Sequence, residues 1–277
     1  MILWCDGPHE ASENMRRDAG LLEAMERGAW PGGAEPAEPV LRLFGFVPPG
    51  ITLGHSQRAE HELDLARCRA DGVTWARRPT GGRAIFHSEE WTYSLAAPIA
   101  DPDWGGTLGE SYARVSRLIL ASLVRLGVPA EMAGADGGRR PIAAAGSSER
   151  AAAPTCFATA ARHEILLHGR KLVGSAQRRT AGGLLQQGSV LLGPGHLRLA
   201  DYLAVPEELR LRARAALATA SADAGATLGG AAPLERWAES LLAELPAGTR
   251  LVRTPPEGWR LTLDGSESAP YTPSVRN

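Results

Sequence analysis

The order of strand and helix patterns along the chain constrains its fold more than any other sequence feature. Apolar, β-branched and alternating runs predict strands at 40–47, 51–57, 73–78, 84–86, 91–97, 163–167, 171–176 and 186–192. Helical periodicity predicts helices at 12–28, 59–70, 107–127, 206–220 and 234–245. Strands with interleaved helices therefore come first and a helical part follows. This order predicts an α/β (α+β) fold in which a mixed β-sheet core is flanked by helices.

The domain organisation follows from the same order. We predict a single domain over residues 1–250, with a core at 30–200, a helical appendage at 201–250 and a tail at 251–277. Segment 133–153 is rich in Ala and Gly with clustered arginines and no periodicity, which predicts a flexible surface loop. A short strand is predicted at 259–263. Among the helix ends, Ser12 is the predicted N-cap and Gly28 the predicted stop of the first helix.

Composition excludes several classes of protein. A formal net charge of -1 argues against a general nucleic-acid surface, and no apolar run approaches the ~20 residues of a membrane span. The three cysteines are an odd, scattered set, which indicates free thiols in a reducing compartment. The first residues lack the pattern of a signal peptide. We therefore expect a cytoplasmic protein with no nucleic-acid or membrane partner and with no metal.

Lys171 is the single lysine among the 30 lysines and arginines of the chain. Arginine serves wherever a surface cation suffices, but an arginine does not release its proton in a protein, whereas a lysine amine can. This use of one amine indicates proton chemistry at position 171. The alternative is that one lysine persists by chance on a solvated turn.

Cys156, at the end of the predicted loop, is a candidate nucleophile. A nearby cation favours the thiolate, and an amine can return the proton to a leaving group, so Cys156 and Lys171 would form a dyad for acyl transfer. The alternative is a buried structural cysteine. A hairpin turn at Gly169-Arg170 would pair His168 with Lys171, and a straight hairpin would then separate residues 156 and 171 by ~40 Å. We therefore predict that 157–162 folds back.

Two glycine-containing segments are candidate binding sites. The run from Arg77 to Arg83 places a glycine turn between arginines, which suits phosphate or carboxylate oxygens, although a tight hairpin with surface arginines gives the same pattern. The run from Gly174 to Gln177 offers small residues against which a ligand chain could lie, or a closely packed strand crossing.

Together these motifs resemble the catalytic-domain family of biotin and lipoate protein ligases. The matching segments are 76–98 (ARRPTGGRAIFHSEEWTYSLAAP), 168–193 (HGRKLVGSAQRRTAGGLLQQGSVLLG), 13–18 (ENMRRD) and 51–57 (ITLGHSQ). The resemblance implies a class II synthetase-like, biotin-protein-ligase-like fold with a hydrophobic acyl tunnel, and Lys171 as the active-site lysine. The substrate-binding residues that it implies are Arg77, Arg78, Thr80, Gly81, Gly82, His87, Gly174, Ser175 and Ala176. Ser88 and Phe46 depart from the family pattern, the latter as an expected packing change.

Within this family the chain looks most like the LipM-type octanoyltransferases, because Cys156-Phe157 precedes Gly169-Arg170-Lys171. That resemblance implies transfer of an octanoyl group from octanoyl-acyl carrier protein, through a Cys156 thioester, to the acceptor lysine of lipoyl-domain proteins. These acceptors are the glycine-cleavage H protein and the 2-oxoacid dehydrogenase E2, and no cofactor is expected. Two alternatives remain: an ATP-dependent lipoate ligase acting through an acyl-adenylate, and a non-catalytic protein that binds acyl chains or lipoyl domains.

Overall fold

The computed structural model describes residues 1–30, 36–133, 163–230 and 232–256. Its strands are, in chain order, β1 (Ile2–His9), β2 (Val40–Phe46), β3 (Gly50–Leu53), β4 (Thr74–Arg77), β5 (Ile85–His87), β6 (Glu90–Pro98), β7 (Ala130–Met132), β8 (Ile165–Leu167), β9 (Arg170–Arg179), β10 (Gly183–Leu191) and β11 (Arg250–Val252). Eight of them form one sheet in the order β11-β1-β2-β6-β10-β9-β8-β7, and β4-β3-β5 form a second sheet. β1 runs parallel to β2 and β11, and the remaining pairs of the large sheet are antiparallel. The predicted mixed sheet is confirmed.

The helices cover both faces of the large sheet. They are α1 (Ala11–Arg27), α2 (Ala59–Glu62), α3 (Leu65–Ala70), α4 (Leu108–Arg125), α5 (Glu207–Ala220), α6 (Gly225–Leu228) and α7 (Leu234–Leu242), with a 3-10 helix at Pro194–Tyr202. α1 packs on β6 and β10, while α4 and α7 pack together on the other side of the sheet. Among the described helices, none combines the length and apolarity that a bilayer crossing requires.

The observed ends of α1 and α4 agree with the sequence prediction at Thr107 and Gly28 and differ from it at Ser12. α4 begins as predicted at Thr107, whose hydroxyl and backbone form a capping box with Glu110. α1 ends as predicted at Gly28, which has a φ of 70°. The prediction of Ser12 as N-cap is wrong, because Glu10 occupies that position and Ser12 lies inside the first turn.

The predicted helix at 59–70 is two short helices, α2 and α3. The backbone is extended at Leu63, and the Asp64 side chain then accepts a hydrogen bond from the Arg67 N–H. Asp64 is therefore the N-cap of α3. The helical spacing of the charged residues predicts one continuous helix and does not reveal this break.

Strands β1, β7 and β11 were not predicted from the sequence. The core predicted at 30–200 leaves out β1, although β1 lies between β2 and β11 and its Leu3 and Trp4 are fully buried. A strand that is covered on both faces shows no polar and apolar alternation, so its period is invisible in the sequence. The predicted loop at 133–153 and the predicted strand at 259–263 lie outside the described residues, apart from Ala133.

A buried ion network joins α1 to the sheet. The fully buried guanidinium of Arg42 donates to Asp6 Oδ2 and to Asp18 Oδ1, each at 2.8 Å, and to Asn14 Oδ1 at 2.6 Å. Asp18 also accepts from Ser94 Oγ at 2.7 Å. Each buried charge is therefore paired and hydrogen-bonded, as its removal from water requires.

The charge of Asp6 makes stability dependent on pH. Burial alone would raise the pKa of Asp6, but the neighbouring His9 and the charges of Arg42 and Arg17 outweigh burial and lower this pKa. Asp6 therefore adds stability that is complete above the ordinary carboxyl value of ~3.9 and is lost as the pH falls through the lowered pKa. We expect the stability difference between the wild type and Asp6→Asn to be constant above about pH 5 and to narrow below about pH 4.

Urea unfolding at several pH values measures that difference. Asp103→Asn changes an exposed aspartate and serves as the control. If the difference in the free energy of unfolding between the wild type and Asp6→Asn stays constant throughout the acid range, the assigned role of Asp6 is contradicted.

Candidate active site

A β-hairpin carries Lys171 at its start. Leu167 pairs with Arg170, so the two turn residues are His168 and Gly169. The predicted turn at Gly169-Arg170, and with it the pairing of His168 with Lys171, is wrong by one residue. His168 and Gly169 have φ values of 51° and 71°, the left-handed conformation that two-residue hairpin turns of type I′ require at both positions.

A β-bulge in this hairpin decides where the Lys171 side chain points. Lys171 pairs with Leu166, but Val173 pairs with Ile165, so Leu172 is an extra residue on β9. Leu172 and Val173 both join the apolar core beneath α4 and α7. Side chains of a regular strand alternate between faces, so without the bulge Lys171 would share the core face of Val173. The bulge instead turns the Lys171 side chain to the face of Gly174 and Ala176.

On that face the amine of Lys171 is buried against a carboxylate. Lys171 Nζ lies 2.5 Å from Oε1 of Glu164, and the two side chains are 3% and 4% exposed. Backbone hydrogen bonds hold both residues: the Ala133 N–H donates to the Glu164 carbonyl and the Ala222 N–H donates to the Lys171 carbonyl. Glu164 was not identified from the sequence.

A cavity lies further along the same face of the sheet. Five residues predicted to bind substrate line it, namely Arg78, His87, Gly174, Ser175 and Ala176. Met15, Phe44, Phe46 and Ile85 form its apolar wall, and Thr52, Thr92, Gln187 and Ser189 add polar groups. A lining of this kind, an apolar wall with a few placed polar groups, is typical of small-molecule sites.

The predicted glycine turn borders this cavity and is held by Arg78. The Arg78 guanidinium donates to the carbonyls of Gly81, Arg83 and Thr52, so this arginine orders the turn. Thr80 is fully buried, and its hydroxyl donates to Gln187 Oε1 at 2.7 Å. Gly82 is left-handed, with a φ of 94°.

Four of the predicted substrate-binding residues do not line the cavity itself, namely Arg77, Thr80, Gly81 and Gly82. Arg77 lies beside the turn instead, in a positively charged neighbourhood: burial lowers the pKa of His55, and the charges of Arg178 and Arg77 lower it further. Arg178 donates to the Pro79 carbonyl, so it flanks the same turn. This edge can attract an anionic group.

His87 belongs to a hydrogen-bonded chain in the cavity wall. Its Nδ1 lies 2.6 Å from Glu90 Oε1 and its Nε2 lies 2.7 Å from Thr52 Oγ1. Because a carboxylate only accepts, Nδ1–H donates to Glu90, and in the neutral ring Nε2 then accepts from the Thr52 hydroxyl. Phe46 stacks on the His87 ring with a centroid distance of 3.9 Å, and both rings line the cavity.

The candidate nucleophile Cys156 lies outside the described residues, as does the segment 157–162 that we predict to fold back. The two described cysteines, Cys5 and Cys68, are buried and free. Burial raises the pKa of both thiols, with nearby carboxylates adding to the effect. Neither is suited to form a thiolate nucleophile.

The sequence patterns do not predict the hydrogen-bond and ion-pair partners of these side chains. In the sequence Glu164 lies at the start of a predicted strand, Glu90 directly precedes one, and Thr52 lies within one. Among these residues, the sequence distinguishes only Lys171, because it is the single lysine of the chain. The partner of a buried ion is set by strand register, which composition does not encode.

Residues 10–243 match the family model of the lipoyl protein ligase A/B catalytic domain. An octanoyltransferase LipM from Symbiobacterium thermophilum is 39% identical over 211 residues, which are 75% of this chain and 72% of that protein. An octanoyltransferase LipM from Kyrpidia tusciae is 39% identical over 187 residues, 67% of this chain and 64% of that protein. This chain thus spans a little under two thirds of the length of the Kyrpidia relative.

Solved structures show the same fold at lower identity. A bi-partite lipoate protein ligase from Thermoplasma acidophilum superposes with a TM-score of 0.65 at 19% identity, over 94% of this chain and 90% of that chain. A lipoate-protein ligase A bound with ATP superposes with a TM-score of 0.63 at 19% identity, over 94% and 91%. The predicted ligase-like fold is confirmed, and the chain belongs to the family of lipoyl protein ligase A/B catalytic domains.

Proposed function

We propose that this protein is an octanoyltransferase of protein lipoylation. It moves an octanoyl group from octanoyl-acyl carrier protein to the acceptor lysine of a lipoyl-domain protein, through a thioester on Cys156. The acceptors are the glycine-cleavage H protein and the 2-oxoacid dehydrogenase E2, and the reaction takes place in the cytoplasm. The observation that carries the proposal is the buried amine of Lys171 on the cavity face of the sheet.

The first half-reaction forms the acyl-enzyme. The Cys156 thiolate attacks the carbonyl carbon of the carrier thioester, a new thioester forms and the carrier thiolate leaves. The Lys171 ammonium gives its proton to that thiolate, which departs as a thiol. The apolar wall of the cavity, formed by Met15, Phe44, Phe46 and Ile85, covers the acyl chain.

The second half-reaction forms the amide. The acceptor amine attacks the acyl-Cys156 carbonyl, the C–S bond breaks and Cys156 leaves as a thiolate. The proton lost by the acceptor nitrogen passes to the neutral amine of Lys171, which restores the starting state. One proton thus leaves Lys171 and returns to it in each cycle. No ATP enters, since a thioester is exchanged for a thioester and then converted to an amide.

Mass spectrometry of the enzyme after incubation with octanoyl-acyl carrier protein, without an acceptor, tests the proposal. We expect an octanoyl adduct that maps to Cys156, is absent from Cys156→Ser and persists in Cys68→Ala, where a buried thiol is removed. A series of donors from hexanoyl to hexadecanoyl carrier protein measures the acyl length that the cavity accepts.

Other outcomes identify the alternative functions. Transfer that requires ATP and survives Cys156→Ser would make the protein a lipoate ligase. Binding of the acceptor domain without any transfer would make it a non-catalytic binding protein. Either result contradicts the proposed thioester route.

A further inference from the structure

We infer that Glu164 is a positioning residue for the proposed transfer, one that holds the Lys171 amine on the cavity face and compensates its charge through the proton cycle. This inference rests on the proposed function. It starts from the buried ion pair between Lys171 Nζ and Glu164 Oε1.

The choice of cation argues that this pair is more than structural. Where the protein needs a buried cation for structure, it uses Arg42, which joins Asp6 and Asp18. A guanidinium makes more hydrogen bonds than an ammonium and stays charged, so it is the better structural partner. The single lysine of the chain stands against Glu164 instead. A pair intended only for stability would not need a group that can release its proton, and buried ion pairs contribute little net stability in any case.

The backbone around the pair fixes both charges. The Glu164 carbonyl accepts a hydrogen bond from the Ala133 N–H, beside β7, and the Lys171 carbonyl accepts one from the Ala222 N–H, beyond α5. The bulge at Leu172 sets the direction of the lysine side chain. Separate elements therefore hold the backbones of Glu164 and Lys171, which limits how far the carboxylate and the amine can move.

The carboxylate has a task in each half-reaction. Before acyl-enzyme formation it compensates the buried ammonium, which would otherwise be unfavourable. After Lys171 has given its proton to the carrier thiolate, the neutral amine still donates an N–H to Glu164 and stays in place. When the acceptor amine attacks, the restored ammonium is compensated again. Glu164 itself forms no bond to the substrate.

The test compares Glu164→Gln with Glu164→Asp. Glutamine keeps the size and an acceptor oxygen but removes the charge, so we expect kcat to fall by about 10²-fold with little change in the KM for the carrier. Loss of the negative charge disfavours the ammonium, so the alkaline limb of the pH–rate profile should move to lower pH. Aspartate keeps the charge one carbon short, so it should lower kcat and leave the alkaline limb near its wild-type position.

Glu208→Gln is the matched control, because Glu208 makes an exposed pair with Arg212 and the exchange is the same. A Glu164→Gln protein with wild-type kcat and pH profile, measured per folded molecule, would overturn the inference. If Glu164→Gln does not fold, the pH–rate profile of Glu164→Asp provides the test instead. An alkaline limb that moves to lower pH in Glu164→Asp would then overturn the inference. Failure of the proposed function is distinct, because the wild type would then form no octanoyl-Cys156 adduct.

Discussion

Lys171→Arg is expected to lower the rate of octanoyl transfer by about 10²–10⁴-fold, the usual contribution of a general acid–base group. Arginine keeps a positive charge but does not release its proton, so it can neither protonate the carrier thiolate nor accept a proton from the attacking amine. The planar guanidinium also has to replace an ammonium that lies 2.5 Å from Glu164 and is almost fully buried. The measurement is transfer to a lipoyl domain under single-turnover conditions.

The control for this variant lies next to it. Arg170 is the exposed first residue of β9, so Arg170→Lys makes the reverse exchange one position away without entering the buried pair. We expect Arg170→Lys to transfer at the wild-type rate. Melting temperatures of both variants separate a loss of folding from a loss of chemistry. A folded Lys171→Arg enzyme with the wild-type transfer rate would remove Lys171 from the mechanism.

Arg42→Met is expected to destabilise the protein by about 3–5 kcal/mol, because it removes the cation paired with the fully buried Asp18 and one of the two arginines paired with Asp6. Asp6 and Asp18 each lose a charge-assisted hydrogen bond of 2.8 Å to the guanidinium, and Asn14 Oδ1 loses one of 2.6 Å. Methionine fills part of the space and supplies no donor. The free energy of unfolding in urea at neutral pH measures the loss.

An exposed ion pair provides the comparison for Arg42. Arg212 pairs with Glu208 one helical turn away on α5, and both side chains are largely exposed. Arg212→Met should therefore have little effect on the free energy of unfolding, since exposed pairs are screened by water and salt. Equal losses for Arg42→Met and Arg212→Met would show that the buried network does not govern stability.

Much of the fold was predictable because its signals are local. The periodicity of α1 and α4, the stop at Gly28 and the start of a helix at Thr107 depend on a few neighbouring residues, and the structure confirms them. The small residues Gly174 and Ala176 likewise marked the strand that lines the cavity. Strand β1 escaped prediction because burial on both faces removes the alternation on which such predictions rest.

The candidate site residues also divide into those that the sequence predicts and those that only the structure identifies. The sequence by itself singled out Lys171, since a chain that uses arginine elsewhere keeps one amine there. The tertiary structure alone decided the direction of that amine, because one extra residue, Leu172, reverses the face of the sheet to which its neighbours point. The partner of Lys171 also depends on the tertiary structure. Glu164 meets Lys171 only when β8 and β9 pair in this register. Residue type is a property of the sequence, whereas register and facing depend on the packing of distant elements.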